Sequence, residues 1–246
     1  MRNFFCVVLL GLFMLSGSAA AAESPAPQLL LYTNVGMVLL ELDHINAPKT
    51  TAHILGLAEA GLYDGVLIPR IDKGYLLQLG EVWTTSRPRP PELWNSLPHM
   101  PLENMHATHA RGTLSLASAQ PGGGGISSFS ILTGSRTDID GKYTIFGHVR
   151  AGMEVIDRIE AAGVSAKPLV IWAQILPPNL ADRLATALEA NGSGALSNGM
   201  APPDRLTRPL ALLMGGSVLS GVLAILFIRK LSRRHLLAIT MLGLLF

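Results

Sequence analysis

Short apolar runs separated by turn residues fill the middle of the chain, and this pattern constrains the fold more than any other feature. The runs are rich in Leu, Val and Ile and are shorter than ordinary helices, so we predict strands. Asn34-Val35-Gly36 indicates a hairpin between the first two runs, and Asp140-Gly141 indicates a tight turn before the seventh. The eight predicted strands are residues 28–32, 37–42, 66–71, 75–79, 113–117, 129–132, 144–149 and 169–174.

Two segments among these runs have helical patterning instead. One begins near Pro48, which is tolerated in the first turn of a helix, and ends at Gly61. The other covers residues 152–162, where Val155, Ile156 and Ile159 fall on one side. Short strands interrupted by only two helices predict a mainly β domain built as a barrel.

The first 22 residues have the three parts of a secretory signal peptide. Arg2 is followed by an apolar run at 4–15 and by small residues, with cleavage expected after Ala20 or Ala22. An uncleaved anchor is the alternative, although the run is short for a bilayer span. Cys6 is the only cysteine, so the processed chain has no disulfide, no thiol nucleophile and no Cys-based metal site.

Residues 209–228 contain no charged side chain and are long enough, at about 1.5 Å per residue, to cross a ~30 Å hydrocarbon core. Arginines and a lysine follow within residues 229–234, and the positive-inside rule keeps them in the cytoplasm. With the signal peptide, this predicts a single-pass protein of the cytoplasmic (inner) membrane whose barrel lies in the periplasm or another extracytoplasmic space. The apolar tail at 235–246 is too short to span by itself.

Residues 178–208 connect the predicted barrel to the membrane segment. Asn179 can N-cap a short helix over 180–190, and the Gly-, Ser-, Asn- and Pro-rich residues 191–203 predict a flexible tether. The predicted division is a signal peptide at 1–22, a barrel domain at 27–177, a short helix and linker at 178–208, a transmembrane helix at 209–228, and a basic flank with an apolar tail at 229–246.

Several other functions lack their sequence signals. The net charge is only +2 and no basic run lies in the central region, so we do not expect nucleic acid as a partner. The glycines at 122–125 are not followed by the Lys and Ser/Thr of a phosphate-binding loop. His106 and His109, with Glu103 upstream, have metal-ligand spacing, but nearby prolines indicate a loop with solvated histidines. We predict no metal and no other cofactor.

A series of motifs in a fixed order carries a family resemblance over roughly residues 28–176. Each motif alone is weak, but their order and spacing together are specific, and the chain resembles cyclophilin-type peptidyl-prolyl cis-trans isomerases. The resemblance implies an eight-stranded antiparallel barrel with two capping helices. The motifs are Tyr63-Asp64-Gly65, Arg70 with Gly74-Tyr75-Leu76-Leu77-Gln78, the run from Arg111 to Ala117, Ser128-Phe129, Asp140-Gly141-Lys142-Tyr143, Phe146-Gly147-His148-Val149 and the run from Gly152 to Asp157.

The resemblance also implies roles for individual residues. Arg70 matches the catalytic arginine of the family, and Gln78 matches the glutamine that orients it. An apolar pocket for the proline ring and backbone contacts to the substrate are expected around them. The implied substrate-binding residues are Tyr75, Leu76, Ala117, Ser118, Ala119, Ser127, Phe129, Ile139 and Tyr143.

Some positions depart from the family pattern. Ile68-Pro69 replaces Phe-His before the arginine, Asp138 replaces an aromatic residue, and Tyr143 replaces a histidine. Ser118 stands at a loop asparagine and Ser127 at the second glutamine. These changes predict looser substrate positioning, while the arginine remains.

The sequence therefore favours a membrane-tethered isomerase that binds proline-containing segments and assists the folding of exported proteins. The alternative is a catalytically degenerate cyclophilin-like module that binds proline-containing segments or docks on a membrane complex. A third hypothesis, an accessory subunit without peptide affinity, predicts stable association with a membrane-protein partner.

Overall fold

Nine strands form one antiparallel sheet in a computed structural model that describes residues 24–82, 84–85, 90 and 92–191. The order across the sheet is β3-β9-β1-β2-β8-β6-β7-β5-β4. The strands are β1 (Gln28–Thr33), β2 (Met37–Leu42), β3 (Val66–Leu67), β4 (Arg70–Asp72), β5 (Leu76–Leu79), β6 (Thr113–Leu116), β7 (Phe129–Leu132), β8 (Ile145–Ala151) and β9 (Leu169–Leu176).

The prediction of eight strands is corrected to nine because Pro69 divides the run at 66–71. Proline has no backbone N–H and disrupts a central ladder, so β3 ends at Leu67 and β4 begins at Arg70. β3 pairs with β9, whereas β4 pairs with β5 at the opposite end of the sheet. Since these edge strands are consecutive in the chain, the sheet curls round into a barrel-like shape.

The helices lie between the strands and after the last one. They are α1 (Pro48–Glu59), α2 (Glu92–Asn95), α3 (Met153–Ala162) and α4 (Pro178–Asn191). The predicted helices after Pro48 and before Gly163 are thus confirmed as α1 and α3. The N-terminus of α1 is capped from a distance, because the Glu103 carboxylate accepts hydrogen bonds from the backbone N–H groups of Lys49 at 3.2 Å and Thr50 at 2.8 Å.

The inner core fills the curled sheet with apolar side chains from most strands and from α1 and α3. Phe129 lies in this core with no exposed surface. Its ring makes edge-to-face contacts with Tyr63 and Phe146, at centroid distances of 5.8 and 5.6 Å. Such pairs stabilise a fold beyond the area they bury, by about 0.5–1.5 kcal/mol each.

A second core covers the opposite face of β1, β2 and β9, and α4 closes it. The Tyr32 and Trp172 rings stack here at 5.1 Å, and Leu184 and Leu188 of α4 are buried against this face. The helix predicted at 180–190 is therefore confirmed. It begins at Pro178, so Asn179 lies inside it and the prediction of Asn179 as its N-cap is wrong.

In the part of the chain that the structure describes, no helix combines the length and apolar character of a membrane span. The predicted signal peptide at 1–22, the tether after its first residue, the transmembrane helix at 209–228 and the basic flank with its tail at 229–246 lie outside the described residues. Asn191, the predicted first residue of the tether, is the last residue of α4.

Candidate active site

A cavity of about 70 Å³ opens on the outer face of β5, β6 and β7, beside β4 and the loop before β8. Side chains alternate between the two faces of a strand, so most of the cavity lining comes from every second residue of these strands, and Leu116 at the end of β6 borders both the cavity and the inner core. The cavity is lined by Arg70, Tyr75, Leu76, Gln78, Ser115, Leu116, Ala117, Ser118, Ser130, Leu132, Ile139 and Tyr143.

Two rows of side chains cross the strands that carry the cavity. In one row, Leu76 is the cross-strand partner of Leu132. In the other, Arg70 is paired with Gln78, Gln78 with Ser130, and Ser130 with Ser115. Cross-strand partners hold their Cβ atoms about 4.5–5.5 Å apart. The cavity therefore has an apolar row and a continuous polar row side by side.

The Arg70 guanidinium is fixed by two partners. Its Nη1 donates to Gln78 Oε1 at 3.2 Å, and the Gln78 amide donates in turn to Glu81 Oε1 at 3.3 Å. Nε and Nη2 of Arg70 both donate to Asp72 Oδ2, at 2.9 and 2.5 Å. Since the Arg70 side chain is still 49% exposed, the guanidinium is oriented but remains open to a ligand.

Tyr75 forms the rim of the cavity, and the Arg136 guanidinium lies 3.9 Å from the centre of its ring. Arg136 donates to both carboxylate oxygens of Asp138, at 2.7 and 2.8 Å. These hydrogen bonds lower the pKa of Asp138 to about 2 and raise the pKa of Arg136. An ion pair stacked on a tyrosine therefore stands where the resemblance implied an aromatic rim.

His109 lies behind the cavity and is fully buried, which corrects the prediction of a solvated loop histidine. Its Nδ1 is 2.8 Å from Asp140 Oδ1, and its Nε2 is 3.0 Å from Ser115 Oγ. The backbone N–H of His109 also donates to Asp140 at 2.7 Å, and these bonds lower the pKa of that carboxyl. Among the described residues, no group of three His, Cys, Asp or Glu side chains could hold a metal ion.

The family model for cyclophilin type peptidyl-prolyl cis-trans isomerases matches residues 29–175. The chain belongs to this family. Peptidyl-prolyl cis-trans isomerase CYP18-2 of Arabidopsis thaliana is 35% identical to it over 141 residues, covering 57% of this chain and 85% of the relative. Human peptidyl-prolyl cis-trans isomerase-like 3 is 32% identical over 141 residues, covering 56% and 84%.

The fold agrees with this assignment. A crystal structure of a cyclophilin-type isomerase from Cryptosporidium parvum superposes with a TM-score of 0.54 at 23% identity, covering 62% of this chain and 98% of the other. The predicted mainly β cyclophilin-like fold and the enzyme class, a peptidyl-prolyl cis-trans isomerase, are confirmed.

Eight of the predicted site residues meet at the cavity of this cyclophilin. Arg70 and Gln78 form one wall with the contacts described above. The others contribute the rim and the remaining walls, and they are Tyr75, Leu76, Ala117, Ser118, Ile139 and Tyr143. Their roles in binding and catalysis stay predictions.

Three predicted residues do not line the cavity. Phe129 points into the inner core, and Ser127 is fully buried, with its carbonyl accepting a hydrogen bond from the Tyr63 hydroxyl at 2.9 Å. Ala119 is exposed in the loop after β6. The resemblance implied Phe129 as a substrate-binding residue, but in β7 the alternation of faces gives the cavity Ser130 and Leu132 instead.

Sequence analysis missed three residues of the cavity floor: Ser115, Ser130 and Leu132. Strand alternation was the signal that could have found them, because Leu114 and Ile131 are obvious core residues of the same strands. No sequence signal joins Asp140 to His109, since they meet only through folding.

Proposed function

We propose that this cyclophilin catalyses cis-trans isomerisation of prolyl bonds in exported proteins while tethered to the membrane. The observation that supports catalysis most strongly is the Arg70 guanidinium, held by Gln78 at the edge of a cavity with an apolar row. The export and membrane parts of the proposal come from the sequence at the two ends of the chain.

The chemical task is to lower a barrier of about 18–20 kcal/mol that arises from amide resonance. As the X–Pro bond twists, the prolyl nitrogen regains its lone pair and becomes a hydrogen-bond acceptor. An Nη–H group of Arg70 donates to that lone pair more strongly in the twisted state than in either planar state, which is the condition for catalysis. No bond is broken, so no nucleophile and no cofactor take part.

The apolar row gives the proline ring its binding surface. Leu76, Leu132 and Ile139 hold the ring while the preceding carbonyl rotates past Arg70. The hydrogen bonds that Arg70 donates to Gln78 and Asp72 keep the guanidinium from following the substrate, so its remaining donors stay aimed at one position.

The proposed partners are proline-containing segments of exported chains and the membrane itself, with a membrane-protein partner as a further proposal. The tether predicted at 191–203 would reach roughly 20 Å as a flexible chain, enough to sample polypeptides emerging near the bilayer. Protease added to spheroplasts should remove the barrel and leave a small membrane-bound stub. A barrel that stays protected until the inner membrane is broken would contradict the proposed orientation.

The activity itself is tested on the full chain in detergent and on a fragment of residues 24–191. The fragment ends after α4, because stopping at 177 would uncover the second core around Tyr32 and Trp172. Both proteins should accelerate cis-to-trans conversion of a proline tetrapeptide. A folded protein that gives only the uncatalysed rate would refute the isomerase function.

A binding module without useful turnover is the second candidate. The contact of Asp72 with Nε and Nη2 of Arg70 favours it, because the carboxylate offsets part of the guanidinium charge. NMR titration with a proline peptide separates the two functions. Shifts on binding without faster exchange between the cis and trans signals would support the module.

A further inference from the structure

The polar row makes the floor of the proline cavity partly hydrophilic. Gln78, Ser130 and Ser115 are successive cross-strand partners and all line the cavity. A bare proline ring has no group that can bond to a hydroxyl, so it cannot bond to Ser130 or to the side of Ser115 that faces the cavity. The row therefore points to a ligand that carries a polar group on the ring side.

His109 and Asp140 determine what Ser115 offers to that ligand. The Asp140 carboxylate is acceptor-only when ionised, so the hydrogen between it and His109 sits on Nδ1. In the neutral ring Nε2 is then an acceptor, and the Ser115 hydroxyl donates its hydrogen to it over 3.0 Å. The remaining lone pairs of Ser115 Oγ are left as acceptors for the cavity.

Ser130 supplies the complementary group. It is 6% exposed and lines the cavity, and its hydroxyl makes no hydrogen bond within the residues that the structure describes. The Ser130 hydroxyl is open to the cavity, so a ligand that fills the cavity must replace the hydrogen bond that solvent offers there, and a polar group on the ring does so. Ser130 can accept or donate, whereas the hydrogen of Ser115 is already committed to His109.

We propose, building on the isomerase function above, that the cavity favours prolyl residues whose ring carries a hydroxyl group, such as 4-hydroxyproline. The ring lies on the apolar row of Leu76 and Leu132, and its hydroxyl donates to Ser115 Oγ and bonds with Ser130. His109 is a positioning residue in this arrangement, since it acts through Ser115.

Three tetrapeptides that differ only in the ring test this specificity on the full chain. They carry proline, (4R)-hydroxyproline or (4R)-fluoroproline; the last keeps the electron-withdrawing substituent but cannot donate a hydrogen bond. NMR exchange spectroscopy gives kcat and KM relative to each peptide's own uncatalysed rate. The hydroxyproline peptide should have a KM lower than the other two by about three- to tenfold, as one extra hydrogen bond would produce.

Substitutions then show which hydroxyl groups produce the preference for hydroxyproline. Ser130→Ala removes a hydroxyl without a partner in the described structure, and Ser115→Ala removes the acceptor; each should bring the three KM values to within about twofold of one another. Thr133→Ala is the matched control, because Thr133 is a buried hydroxyl at the end of β7 that does not line the cavity. It should keep the preference for hydroxyproline.

Failure of the hydroxyproline subsite can be distinguished from failure of the isomerase function. If proline peptides are not accelerated at all, that function fails, and the same preference is read from the dissociation constants of the three peptides. Equal values for the three rings would overturn the subsite. A preference for hydroxyproline that survives in both serine variants would also overturn it.

Discussion

Two arginines near the cavity have the same type of ion-pair partner but different surroundings. Arg70 and Arg136 each pair with an aspartate two residues later, Asp72 and Asp138. Arg70 lies on a strand and is also bound by Gln78, whereas Arg136 lies in a loop over the Tyr75 ring. Charge and a nearby carboxylate therefore do not separate the two arginines, whereas the neutral hydrogen bond across the strands does. We expect the arginine with this second bond to be the catalytic one.

The largest difference between the two arginines should appear in kcat/KM when each side chain is replaced by alanine. Arg70→Ala should lower kcat/KM by about 10²–10³-fold, the loss typical of removing a transition-state donor. Arg136→Ala should change it by less than about threefold, because Arg136 contacts the rim from outside and does not line the cavity. A protease-coupled peptide assay measures both. Similar losses in the two variants would remove the distinction.

Gln78 sharpens the comparison, since it is the partner that Arg136 lacks. Gln78→Leu keeps the size of the side chain but removes the acceptor for Arg70 Nη1. We expect kcat to fall by about tenfold with KM nearly unchanged, because a freely rotating guanidinium donates less often in the productive position. Unfolding by urea serves as the control for stability. A full-rate variant would show that Asp72 alone orients Arg70.

A substitution at Asp72 tests the ion pair with an aspartate, which is the type of contact that both arginines make. Asp72→Asn keeps a hydrogen-bond acceptor and removes the charge that offsets the Arg70 guanidinium. The pair is about half exposed, so solvent screens it and the effect should be small. We expect kcat/KM to rise by about two- to fivefold in the same peptide assay. A rise of several hundredfold would instead favour the binding-module function for the wild-type chain.

The smallest expected effect concerns pH and the Asp138 carboxyl. Its pKa is lowered to about 2 by the hydrogen bonds from Arg136, so the ionised form is favoured by folding. The stabilisation is therefore fully present well above the usual carboxyl pKa and is lost as the pH falls through about 2. Wild type and Asp138→Asn should differ in free energy of unfolding by a small, constant amount from pH 7 to 5. That difference should shrink below pH 4, and a difference that grows there would contradict the assignment.

Much of the fold was predictable from the local sequence pattern, because each short strand of the sheet appears as an apolar run and most connections contain turn residues. The break at Pro69 follows from the proline itself, but the apolar residues at 66–68 and Ile71 on either side favour one continuous strand when only the local pattern is considered. The packing of α4 on the sheet was not predictable, because Leu184 and Leu188 show an apolar face without showing what covers it.

The cavity wall of Arg70 and Gln78 was predicted from the family motif, whereas the cavity floor was not. The resemblance implied Phe129 at the pocket, and only the observed register shows that Ser130 takes the cavity side. His109 resembled a solvated residue because Asp140, its partner, is 31 positions away in the chain. Contacts of this kind depend on tertiary structure, so single-sequence patterns do not contain them.

Arg70→Lys separates the charge of Arg70 from its hydrogen-bonding geometry, because it keeps the positive charge and removes the guanidinium fork. NMR exchange spectroscopy and titration on the same samples give turnover and peptide affinity separately for the wild type and the variant. We predict that peptide affinity changes by less than about threefold while catalysed exchange falls by at least about 30-fold, since lysine cannot bond Gln78 and the prolyl nitrogen in the same geometry. Catalysed exchange near the wild-type rate in Arg70→Lys would contradict this prediction.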